Sequence, residues 1–145
     1  MRRSPRPAER ELQPLRLPPG MDLRGALEQA ARERGMAAFV VAGIGSLGDA
    51  RLRLAGASHE TVVNGPCEIV SLAGSLTLDG AHLHAAVADA QGRVHGGHVV
   101  PGNIVRTTAE LLLAWLPGWD LRREFDPRTG YAELMLRGGP ERSVA

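Results

Sequence analysis

Two kinds of apolar spacing run along this chain, and together they predict a sheet with one helix laid against it. Every-second-residue patterning dominates. In residues 81–90 (AHLHAAVADA), Leu83, Ala85 and Val87 fall on one face of an extended chain, with His82, His84, Ala86 and Ala88 on the other. Residues 49–54 (DARLRL) alternate in the same way, setting Leu52 and Leu54 inward and Arg51 and Arg53 outward as a local basic stripe. Further strands are predicted over residues 37–42 (AAFVVA), 60–63, 67–78 (CEIVSLAGSLTL), 121–125 and 131–136, and a short edge strand over 12–17. One segment changes period. Leu23, Ala26, Leu27, Ala30 and Ala31 recur on a single helical face, and Arg24, Glu28, Arg32 and Glu33 lie outside it. Asp22 stands where an N-cap belongs, and Gly35 where a helix stops.

Some stretches leave a choice. Gly43-Ile44-Gly45-Ser46 reads as a tight turn; a phosphate cradle is disfavoured because no lysine follows and no helix begins there. Gly65-Pro66 breaks the chain before residues 67–78, within which Gly74 marks a bulge or a close backbone approach. Residues 104–116 (IVRTTAELLLAWL) fit a buried helix or a central strand, with Thr107 and Thr108 leaning toward strand. Eight short strands and one clear helix predict an α/β (α+β) protein, a largely antiparallel sheet with the helix packed on one face.

At 145 residues the chain suits one domain with a real core, placed at residues 12–137. Residues 1–11 (MRRSPRPAERE) are expected to be a disordered Arg/Pro-rich tail, and residues 138–145 a frayed end. Hydrophobic residues make up 43% and charged residues 23%, ordinary for a soluble protein, and the net charge of +1 gives no global pull toward nucleic acid or membranes. No apolar run reaches the length of a membrane span and no signal-peptide core is present, so a cytoplasmic protein without a membrane partner is expected. Cys67 is the single cysteine, which excludes an intrachain disulfide; a buried structural thiol is expected.

Chemistry concentrates in the histidines. Ala90-Gln91-Gly92 suits a three-residue hairpin loop with a left-handed glycine last. That turn places Asp89 opposite Arg93 and therefore His84 opposite His98. Opposed residues share a face, so His82, His84 and His98 converge while His95 points away. Three imidazoles with a fourth position open suit a divalent metal, zinc before nickel, iron or copper. The plainer alternative is an exposed polar face, and a bulge at Gly96-Gly97 would spoil the register. A catalytic metal needs a base from elsewhere, and Glu68 and Glu110 are the candidates. Neither a Ser-His-Asp arrangement nor a telling carboxylate pair occurs, so no reaction is named.

Several runs together resemble a known family. The predicted helix followed by AFVVAGIGSLGDARLRL, then GPCEIVSLAGSLTLDGAHLH, GGHVVPGNIVRTTAE and the late RTGYAEL, is similar to the PPC domain (also PCD or DUF296) carried by the plant AT-hook nuclear-localised proteins. The likeness covers residues 12–136 and is strongest to single-domain prokaryotic members. It implies an α/β fold with a largely antiparallel sheet, a homotrimer around a threefold axis, and a strand for residues 104–116. It also implies metal ligation by the H-x-H and G-G-H histidines, here His82, His84 and His98. A plant assembly segment corresponds to Gly65-Pro66-Cys67-Glu68-Ile69-Val70, which keeps only the Gly, Glu and Ile. An AT-hook is absent: Ser4-Pro5-Arg6-Pro7 lacks the glycine that lets such an arm lie flat in the minor groove. The expected partners are thus other copies of the chain and a small-molecule ligand; the alternatives are DNA, through three copies of the basic tail, or a structural trimerisation module in which the histidines only staple the trimer.

Overall fold

A computed structural model of the chain describes residues 12–139. The expectations for residues 1–11 and for the end beyond residue 139 lie outside the described residues. The elements are β1 (Leu12–Leu17), α1 (Leu23–Arg34), β2 (Ala38–Leu47), β3 (Ala50–Arg53), β4 (Glu60–Val63), β5 (Cys67–Thr77), β6 (Gly80–Ala88), β7 (Val94–Val99), β8 (Val105–Trp115), β9 (Trp119–Asp126) and β10 (Tyr131–Gly138). The first eight strands form one sheet in the order β1-β8-β2-β5-β6-β7-β3-β4, every pair antiparallel, with β1 at an edge. Strands β9 and β10 form a separate two-stranded ribbon.

Helix α1 forms where its spacing and caps predict. The Asp22 carboxylate accepts from the Gly25 N–H at 2.8 Å, and Gly35 ends the helix in the left-handed region at φ 60°. Its apolar stripe, Leu23, Leu27 and Ala31, is buried in the same cluster as Leu72, Leu76 and Leu83 of the sheet. Full burial of each leucine contributes about 1.5–3 kcal/mol. The polar side of the helix also holds the histidine strands. Glu28 Oε1 accepts from the Ala81 N–H at 3.1 Å and from Arg24 Nε at 3.0 Å, and Arg24 in turn donates to the Val99 carbonyl at 3.1 Å. One helical ion pair therefore pins the start of β6 and the end of β7.

Three details differ from the sequence reading. Ten strands are described rather than eight, because the hairpin partner β7 and the segment left open between helix and strand, β8, join those placed by alternation. Gly43-Ile44-Gly45-Ser46 does not turn: β2 stays paired with β5 and β8 as far as Leu47, with slips in register against β8. A Cβ on Gly45 would sit 2.5 Å from the Thr108 carbonyl oxygen, so that glycine serves close strand approach. Leu54 is exposed, because β3 ends at Arg53 and the alternation stops with it. Gly138 pairs with Trp119 at the end of β10. Residues 105–115 are a strand with Ala109, Leu111, Leu113 and Trp115 buried. Their period of two was hidden by Leu112 and Ala114, which are apolar residues on the opposite face.

Candidate metal centre

Strands β6 and β7 carry the cluster because the turn between them fixes their register. Gly92 takes φ 78°, its N–H donates to the Asp89 carbonyl at 2.9 Å, and the Asp89 N–H donates to the Arg93 carbonyl at 2.9 Å. His84 then pairs with His98, and the ladder runs through Gly96 and Gly97 without a slip. Leu83, Ala85 and Val87 are buried, which turns His82 and His84 to the other face. On the far side of β6, Gly74 of β5 lies so close that a Cβ there would meet the His82 carbonyl oxygen at 2.1 Å. The backbone beneath His82 is thereby held from the helix side by Glu28 and from the neighbouring strand by Gly74.

His84 Nε2 lies 3.1 Å from His82 Nε2 and 3.1 Å from His98 Nδ1, and one nitrogen of each ring lies within 4.8 Å of the others. The rings of His82 and His98 are stacked, with centroids 5.4 Å apart, and His84 meets both nearly edge-on. An imidazole nitrogen carries either one hydrogen or one lone pair, so His84 Nε2 cannot donate to both neighbours. Three lone pairs around a cation resolve that conflict. Tetrahedral zinc with bonds of about 2.0–2.1 Å sets its nitrogen ligands roughly 3.3 Å apart, close to the two short distances seen. Burial, then Arg123 and the neighbouring imidazoles, pulls the His82 pKa below the ordinary histidine value, against a smaller upward pull from Glu133. Burial, then His84 and Arg53, does the same to His98. Both shifts favour the neutral form, which is the form that ligates metals.

His95 stands apart, as its register requires. Its Nε2 lies 3.0 Å from Asp89 Oδ2, and the same carboxylate accepts from Arg93 Nε at 2.9 Å and from the N–H groups of Gln91 and Arg93. His95, then burial in the opposite sense, then Arg93 and Gln91, leave the Asp89 carboxyl well below the usual range. This is a structural latch on the hairpin tip. Cys67 is buried, and burial pushes its thiol pKa up, so it is not a poised nucleophile. Glu68 and Glu110 do not join the cluster. Glu68 pairs with Ala88, four positions along β6 from His84, and Glu110 lies on β8, separated from β6 by β2 and β5. Among the described residues no helix is long and apolar enough to cross a membrane.

An open cleft of about 540 Å³ reaches the cluster, with His82 and His98 in its wall. Arg53 enters from β3, where it pairs with His98. Arg123, Tyr131 and Glu133 enter from the ribbon. Arg123 donates from its guanidinium to the Ser75 hydroxyl and from its backbone N–H to Asp79 Oδ2 at 3.0 Å. Glu133 and Asp79 are the carboxylates of the cleft, and Asp79 accepts the Arg123 backbone N–H. Tyr131 and Glu133 fall within the RTGYAEL run that carried the family likeness, no motif marks Arg123, and the alternating DARLRL run marked Arg53 only as part of a basic stripe.

A model of the Plants and Prokaryotes Conserved (PCC) domain matches residues 8–117. A solved structure of a protein from Salmonella enterica is 37% identical, covers 92% of this chain and 97% of its own, and superposes with a TM-score of 0.85. A protein from Archaeoglobus fulgidus described as metal-containing is 27% identical over 86% of this chain and 93% of its own, with a TM-score of 0.74. A plant- and prokaryote-conserved protein from Pyrococcus horikoshii is also 27% identical over 86% of this chain and 91% of its own, with a TM-score of 0.69. Among curated sequences, the bifunctional protein GlmU of two Synechococcus strains is 46% and 49% identical over 90% and 85% of this chain. The chain spans only about a fifth of the length of those relatives, 21% and 20%.

Proposed function

The chain belongs to the Plants and Prokaryotes Conserved domain family, and from that premise we propose that it is a metal-binding module in which His82, His84 and His98 ligate one divalent cation, zinc first, beside a site for a small molecule. The observation that carries this reading is the approach of three imidazole nitrogens to within 4.8 Å of one another on an exposed face. Unlike charge or hydrogen-bond demand, a shared cation gives all three rings a favourable partner at once. The metal-containing description of the Archaeoglobus protein, which has the same fold, supports it. A bound metal supplies a Lewis-acid position beside the cleft. The chain's own groups there, Arg53, Arg123, Tyr131 and Glu133, supply charge and hydrogen bonds.

We further propose a homotrimer, as the family likeness implies. Phe39, Val41, Ile44 and Val70 are exposed on the central strands β2 and β5, an apolar area that a lone soluble chain rarely leaves open. DNA binding has less support. The net charge is +1, and Arg51, Arg122, Arg128 and Arg137 are each engaged by a carboxylate.

Metal content measured by mass spectrometry on untagged protein tests the centre. About one equivalent per chain is expected, falling to background in His84→Ala, the residue that touches both other rings. No metal in the wild-type protein, even after zinc is offered at neutral pH, would rule the centre out.

A further inference from the structure

We infer that the cleft beside the histidines binds a small oxyanion, a molecule presenting a carboxylate or phosphate group, between Arg53 and Arg123. This rests on the metal-centre reading for one of its three positive groups, the other two being the arginines.

Three guanidiniums line the cleft, and their engagements differ. Arg24 is committed to Glu28 and to the Val99 carbonyl. Arg53 donates only to the Ala57 carbonyl, at 3.4 Å, and Arg123 to the Ser75 hydroxyl. Among the described residues neither has a carboxylate within ion-pair distance. Both are half-buried, so each charge has lost part of its water without gaining a counter-ion. Burial pulls the Arg123 pKa down, and Glu133 only partly offsets it. Such guanidiniums suit an anion, because their planar forks match the paired oxygens of a carboxylate or phosphate.

Placement adds a second reason. Arg53 stands opposite His98 in the ladder between β3 and β7, and Arg123 lines the same cleft as His82. The two arginines therefore reach the cleft that the two histidines line, one from β3 and one from the ribbon. At about 540 Å³ the space exceeds what a bare inorganic ion needs and falls within the size of metabolite sites. Glu133 and Tyr131 across the cleft give the uncharged part of such a molecule an acceptor and a hydroxyl.

Calorimetric titration of the zinc-loaded full chain with inorganic phosphate and, separately, with succinate tests this, with uncharged succinamide as control. Saturable binding of at least one anion, one per chain, is expected, weakened about tenfold or more in Arg53→Gln and in Arg123→Gln while metal content stays at wild-type level. Whichever probe binds more tightly separates phosphate from carboxylate as the natural group. Arg53 holds no other element in place, so Arg53→Gln keeps the test decisive if loss of the Ser75 bond loosens the ribbon in the Arg123 variant. No saturable binding of either anion, succinamide binding as well as succinate, or wild-type affinity in Arg53→Gln would overturn the proposal. Arginine-dependent anion binding by protein that holds no metal would leave the anion site standing and remove the metal centre instead.

Discussion

His84 is central among the three histidines for a reason of position: it lies on the middle strand position that opposes His98 and follows His82 by two. His95, only three residues before His98, lands on the other face and does different work. There it helps fill the acceptor capacity of Asp89, whose carboxylate also takes two backbone N–H groups and the Arg93 side chain. Because the folded Asp89 pKa is depressed, its stabilisation is fully present above the ordinary carboxylate pKa of about 3.9 and is lost as pH falls toward the lower folded value. The melting temperature of the wild-type protein should therefore drop below about pH 4 more steeply than that of Asp89→Asn. Equal slopes in thermal melts across that range would show that the latch contributes nothing.

At the scale of elements, the histidine hairpin is held on both sides. Helix α1 grips the ends of β6 and β7 through Arg24 and Glu28, and β5 presses against β6 at Gly74. Gly74→Ala places a methyl group into the space of the His82 carbonyl and asks an L-residue to adopt φ 156°. Such a change is expected to cost about 2–4 kcal/mol, in the upper range for single substitutions. It should also lower metal affinity, since the carbonyl it displaces belongs to a proposed ligand. Chemical denaturation beside zinc titration checks both; wild-type stability with wild-type affinity would mean that β5 yields freely at this point. Strand β2 shows the same physics. Gly45 there does not reverse the chain; it allows β2 to lie close to β8.

At the scale of the whole molecule, the sheet buries one face and leaves apolar side chains on the other. Phe39, Val41, Ile44 and Val70 lie on the central strands β2 and β5, and among the described residues nothing covers them. The proposed trimer gives that face a partner. Val41→Asp and Val70→Asp should each shift the sedimenting species from three chains toward one, because a carboxylate left unpaired in an interface core costs several kcal/mol. A wild-type protein that sediments as a single chain at micromolar concentration would remove the trimer. The β9–β10 ribbon contributes at this scale too, since it carries Arg123, Tyr131 and Glu133 to one wall of the cleft.

Much of the fold was written in local pattern. Alternation placed most strands, the spacing of Leu23, Leu27 and Ala31 with Asp22 and Gly35 placed the helix, and one turn, Ala90-Gln91-Gly92, set the register that brings His84 opposite His98. These features are legible because each depends on residues near one another in the chain: a turn of known length converts sequence distance into cross-strand position. For residues 104–116, where both faces are apolar, residue pattern alone left helix and strand open, and family likeness chose correctly. The glycines of β2 were misread as a turn, because nothing local distinguishes a glycine that bends the chain from one that lets another strand approach. The cleft was beyond reach for the same reason. Arg123 meets Ser75 across 48 residues, and Arg53 meets the histidines only because β3 docks beside β7. Which distant strands lie side by side is settled by burial of the whole core, and that competition among all segments is what the tertiary structure alone decides.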